Sequence, residues 1–199
     1  MLSATAGHAG TSADAACVQS YLNYYGYNAG EVDGKIGRLT QGAFRRAVED
    51  GFKFDRTTLH VSGSDEVCMT LARKVAQERG NPDVIYVLDV PFNSSTMVNI
   101  DIGIRAAREK LDSEAGVTVY AFRNRKLLFS KFREISRATG RQTEQFWSRV
   151  VGLANGKHIF LDLGKMKGGS HERFVAAHEY AHVHQHALLG RKQTIRKDG

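Results

Sequence analysis

Residues 158–189 read HIFLDLGKMKGGSHERFVAAHEYAHVHQHALL. The segment opens on an apolar run, 158–163, that reads as a strand. Gly168-Gly169-Ser170 breaks it, and 171–189 reads as a helix with Gly190 at its C′ position. Inside that helix His178, Glu179 and His182 form one HExxH. Residues four apart share a helical face, about 6 Å apart along the axis. An apolar turn, Phe174 to Ala177, precedes the motif, as expected of a helix that presents polar groups while packed into a core.

Two imidazoles so placed can converge on one zinc ion with bonds of about 2.0 Å. Glu179 projects beside that face, where a carboxylate can take a proton from an attacking water and pass it to a leaving amine. The metal polarises a carbonyl and activates water near neutral pH. The competing reading is a His-rich surface helix, since five of the eight His fall between 171 and 186. His186 extends the series, but it lies about 12 Å along the axis from His178, too far to share one ion. His184 is rotated about 120° from His178, and His171 lies about two turns upstream. These three read as polar surface residues. A catalytic zinc site takes three protein ligands and keeps a fourth position for water. Downstream of Glu179 the only carboxylate is Asp198. The third ligand is therefore expected from Asp198, from upstream, or from chain beyond Gly199. The last of these, a domain lacking its C-terminal part, is the expectation.

Upstream, strand and helix patterns alternate. VIYVLDV at 84–90 and VTVYAF at 117–122 read as strands. Between them 96–114 reads as a helix with Ile100, Ile104, Ala107 and Leu111 inward. Two further helices are expected over 127–139 and 143–151, then a turn at Asn155-Gly156. Before residue 81 the pattern is helical: 15–25, a second helix capped by Thr40, and a third, 65–79, capped by Ser64. The fold class is α+β. The expected organisation is a flexible leader (1–13), a small three-helix module (14–80), and an α/β lobe (83–199) ending in the HExxH helix.

The chain has 199 residues, 42% of them hydrophobic, which suits a globular protein rather than a disordered one. No run of about 18 apolar residues exists, so no membrane span is expected. Lys and Arg number 28 against 21 Asp and Glu, a formal charge of +7. Eight of these cations fall in 121–150 with two acids, on expected helices without interleaved aromatics or any nucleic-acid motif. They read as a solvated face, compatible with attraction to anionic polymers, and nucleic acid is not expected as a partner. Cys17 and Cys68 lack metal or redox spacing. In an oxidising compartment they would form one bridge; in a reducing one they would be two small buried apolar residues.

From 117 to 189 the order of VTVYAF, two helices, GLANGKHIFLDL and AAHEYAHVHQ resembles the gluzincin-like metallopeptidases of the peptidase MA-like group. The resemblance covers roughly residues 84–190 and is specific at the HExxH helix. It implies His178 and His182 as Zn2+ ligands, Glu179 as general base, and peptide or protein as substrate. In that group a Glu on a following helix completes the site, and this sequence ends before one. Residues 18–48, VQSYLNYYGYNAGEVDGKIGRLTQGAFRRAV, are similar to the three-helix type of peptidoglycan-binding domain, with VQxxL, GY and DGxIGxxTxxA in order. That likeness implies peptidoglycan or another cell-wall polymer as partner, contacted by Tyr24, Tyr27 and the loop around Asp33. It also implies an extracytoplasmic location and favours the Cys17–Cys68 bridge. The expected function is a zinc metallopeptidase targeted to the cell wall. The alternative is a non-catalytic wall-binding protein with a vestigial HExxH helix.

Overall fold

The computed structural model describes residues 11–55 and 57–195, with side chains through Gly190. The class is α+β, as expected. The elements are helices α1 (Ala13–Tyr24), α2 (Arg38–Glu49) and α3 (Ser64–Glu78), strand β1 (Val84–Leu88), helix α4 (Ser95–Lys110), strand β2 (Val117–Phe122), helices α5 (Arg125–Ser136) and α6 (Gly140–Trp147), strands β3 (Gly152–Asn155) and β4 (His158–Asp162), and helix α7 (Gly169–Ile195). The sheet order is β1-β2-β4-β3. β1, β2 and β4 run parallel and β3 is antiparallel to β4.

Local chemistry sets several boundaries. Ser12 Oγ accepts from the Asp14 and Ala15 amides and starts α1, so structure begins inside the expected leader; residues 1–10 lie outside the described part. Thr139 and Gln142 form a capping box that starts α6. Two expected caps are corrected. Thr40 sits inside α2, buried, where its Oγ1 donates to Ala29 O and accepts from Gln19 Nε2. Gly37 holds the cap position instead. Ser64 opens α3 behind a left-handed Gly63, and its Oγ donates to Val61 O. α7 also runs through Gly190 to Ile195 rather than ending there. A glycine inside a helix costs about 1 kcal/mol and need not stop it.

The composition break near residue 81 coincides with the passage from α3 to β1, and one buried core continues across it. Val18, Leu22 and Leu71 belong to the same apolar cluster as Val87, Phe122, Trp147 and Tyr180. Polar ties cross the same line. Tyr21 Oη donates to Tyr86 O at 2.8 Å and Ser20 Oγ to Val90 O at 2.6 Å. Arg79 Nη2 reaches Asp101 Oδ2 at 3.0 Å, and Tyr86 Oη donates to the other carboxylate oxygen at 2.9 Å. Lys131 is 6% exposed and pairs with Asp14 at 2.9 Å. The basic segment 121–150 is thus not a solvated face throughout: Lys131 is a buried tie between α5 and α1. The Cys17–Cys68 disulfide joins α1 to α3.

α7 packs on α4, β3 and β4. Its approach to α4 depends on Gly103, where an added Cβ would stand 2.3 Å from Arg173 O and 3.0 Å from Arg173 Cα and C. Backbone cannot yield as a side-chain tip can, so the two helices must separate to admit even a methyl group. Gly103→Ala is expected to lower stability by about 1–3 kcal/mol. Thermal unfolding checks it; an unchanged midpoint would refute the close crossing.

Candidate metal centre on the long C-terminal helix

α7 is held in place by polar contacts along its inward side. Near its start Asn99 on α4 donates from Nδ2 to the buried Glu172 at 2.9 Å and accepts from Arg173 Nε at 2.8 Å. Two turns on, Tyr180 is fully buried and its Oη lies 2.8 Å from Ala115 O and 3.1 Å from Ser113 Oγ. His184 Nδ1 lies 2.9 Å from the same hydroxyl, so this half-buried histidine faces inward rather than forming plain surface. The His171 Nδ1 accepts from the Lys167 amide at 3.2 Å, and His186 is exposed.

The outward side carries the motif. His178 is exposed and His182 half-buried, and their Nε2 atoms face one another at 3.2 Å with the rings perpendicular. Two nitrogens bound to one tetrahedral ion at about 2.0–2.1 Å stand about 3.3–3.4 Å apart. The observed separation therefore fits two ligands of one zinc ion. His182 Nδ1 is 3.2 Å from Gln185 Oε1. With Nδ1 donating to that oxygen, the Nε2 lone pair is the one that faces His178, the usual arrangement behind a metal-ligating imidazole. The 3.2 Å Nε2–Nε2 distance is also that of a hydrogen bond between the two rings, whose donor depends on the tautomers. The Phe174 ring stacks on His178, 6.0 Å between centroids. Among the described residues no group of three or more His, Cys, Asp or Glu side chains is placed to hold one ion, so the pair supplies two donors. Asp198 lies outside the described residues.

Glu179 is 8% exposed, turned from the imidazole face toward β3. Burial raises its pKa, against the pull of His178, His182 and the Ala154 backbone amide. β3 comes so close that a Cβ on Gly152 would stand 2.9 Å from Glu179 Cγ, 3.0 Å from Oε1 and 3.0 Å from Val175 Cγ1. The absent side chain at Gly152 is what admits the carboxylate. Sequence patterning predicts the end of a helix here and not β3, so the Gly152 and Ala154 contacts are new. No local signal carries them, because they arise between distant segments. Gln185 is a further addition, although its i+3 spacing from His182 puts it within reach.

The expected wall-binding residues are differently placed. Tyr24 is 37% exposed, edge-on to Tyr25 and Phe92. Tyr27 is half-buried and edge-on to Phe52. Asp33 Oδ1 accepts from Gln19 Nε2 and the Lys35 amide, both at 2.9 Å. Burial opposes ionisation, yet these hydrogen bonds hold its carboxyl below the usual range. Asp33 thus fixes its own turn. Gln19, 2% exposed, is the hub of that loop, since its Oε1 also accepts from the Asp33 and Gly34 amides. Among the described residues no helix is long and apolar enough to cross a membrane. No family model, curated protein or solved structure matches the chain.

Proposed function

We propose that this protein is a zinc metallopeptidase in which His178 and His182 hold the ion and Glu179 is the general base. The observation that carries the reading is the pair of Nε2 atoms 3.2 Å apart, with a buried carboxylate on the intervening residue. Zinc held there would supply polarisation of the scissile carbonyl and acidification of a water.

The chain's own residues do the rest. Glu179 takes the proton from the attacking water and delivers it to the leaving amine, and burial favours the protonated form that makes the delivery possible. The Ala154 backbone amide nearby favours the ionised carboxylate. Gln185, by accepting from His182 Nδ1, would leave the Nε2 lone pair for the ion. β3 pairs with β4 along one edge, and among the described residues no strand pairs with its other edge. An extended peptide can add to that edge by main-chain hydrogen bonds, which brings its backbone beside Glu179.

The disulfide supports an oxidising, extracytoplasmic location, and the likeness of residues 18–48 to wall-binding modules supports peptidoglycan as partner. The zinc-loaded full chain is expected to hydrolyse an unfolded protein substrate, to stop on adding a chelator, and to resume on adding zinc. A chain retained on purified peptidoglycan yet inert toward peptides with zinc bound would favour the non-catalytic alternative.

A further inference from the structure

An open groove of about 620 Å³ lies where α6 leads into β3, lined by Gln142, Gln145, Phe146, Ser148, Arg149 and Val150. Gln142, Gln145, Phe146 and Arg149 follow helical spacing, so one stripe of the α6 end faces it. Phe146 forms its apolar wall, 36% exposed and stacked on Phe132.

The charged group lining the groove is Arg149, beside the side-chain amides of Gln142 and Gln145. Arg149 is exposed and makes no ion pair among the described residues. Gln142 spends its carbonyl on the Thr139 amide and hydroxyl, which leaves its Nε2 to donate elsewhere. Ser148 Oγ spends its hydrogen on Gln145 O and offers a ligand no donor. Lys165 Nζ, which does not line the groove, donates to Val150 O at 3.1 Å and to Trp147 O. Glu144, the one acid of α6, does not line the groove. Arginine beside amide donors, with no carboxylate present, matches a carboxylate ligand.

The position of the groove names the source of that carboxylate. Val150 is two residues from Gly152, which touches Glu179, and two residues reach at most about 7 Å. The groove lies on the face of the sheet opposite Glu179: Phe146 stacks on Phe132, which is edge-on to Phe160, whereas Gly152 pairs with Leu161 and faces α7. A peptide laid along the edge of β3 sends alternate side chains to the two faces, so one pointing away from α7, two or three residues from the bond beside Glu179, would enter the groove.

We infer that this groove is the subsite for an acidic residue of the peptide substrate, two or three positions from the scissile bond, with Arg149 as its anchor. The inference rests on the peptidase reading and adds the substrate class. Paired peptides differing only by Glu or Gln, scanned over three positions on each side of the cleaved bond, test it on the zinc-loaded full chain. One position is expected to favour Glu by about tenfold in kcat/KM. Arg149→Ala should bring that ratio to unity, and Arg149→Glu should move the preference to Lys. Direct binding of the same peptides to the Glu179→Gln variant, read by fluorescence anisotropy, should show the same ratio and its loss at higher salt. Equal cleavage of Glu and Gln peptides, or a preference that survives Arg149→Glu, overturns the subsite and leaves the peptidase reading standing. Peptides neither cleaved nor bound would overturn both.

Discussion

Glu179→Gln is expected to lower hydrolysis by about 10²–10⁴-fold while leaving zinc affinity and thermal stability at the parent's level. The substitution is isosteric, so the fit of the side chain against Gly152 is kept. It also relieves the cost of ionising a group that is 8% exposed, so the fold has no reason to weaken. What it removes is the capacity to take and return a proton. Neither Nε2 atom is touched, so the ion should stay. Peptide turnover, zinc titration and thermal melting on the same preparation separate the outcomes. Turnover equal to the parent's would remove Glu179 from the chemistry. Loss of zinc together with activity would make it a ligand instead of a base.

The second large effect is on stability. Replacing both Cys17 and Cys68 with Ala is expected to cost about 4 kcal/mol, because the bridge spans a sequence separation of 51 residues and the freedom of that loop returns to the unfolded chain. For a chain of this size that corresponds to a fall of about 10 °C in Tm. Alanine is the appropriate replacement, since both sites are fully buried and a serine hydroxyl would add an unsatisfied polar group. The effect should not stay within the helices. Tyr21 on α1 donates to Tyr86 on β1, and Arg79 just past α3 pairs with Asp101 on α4. Loosening α1 against α3 therefore loosens the sheet and the helix beside it. A single unfolding transition, lowered in the variant and equally in the reduced parent, is the expected result. A parent indifferent to reductant, with two free thiols under denaturing conditions, would contradict it.

What the sequence makes legible is what is local. VTVYAF forms β2 over the expected residues because β-branched and aromatic side chains suit a strand buried on both faces. The HExxH geometry follows from helical spacing alone, so His178 and His182 meet as expected. The features that shape the site are non-local. Gly152-Leu153-Ala154-Asn155 has no β-branched residue and no alternation, and it becomes a strand only by pairing with β4 under α7. Lys131 looks like any exposed cation until α1 places Asp14 against it. Thr40 has a capping side chain, but Gln19 and Ala29 O claim it from inside the fold. The composition break near residue 81 marks a change of secondary structure, and only the packing shows that one core spans it.

The central claim is that two imidazoles one helical turn apart hold a metal ion. Zinc content of the purified full chain after equilibration with Zn2+, measured beside His178→Ala and His182→Ala, tests it most directly. Neither histidine is buried, so both variants should fold, which thermal melting checks. One zinc per parent chain, and weakened or lost binding in each variant, is the expected result. Zinc bound equally well by all three proteins, or by none, would contradict the account.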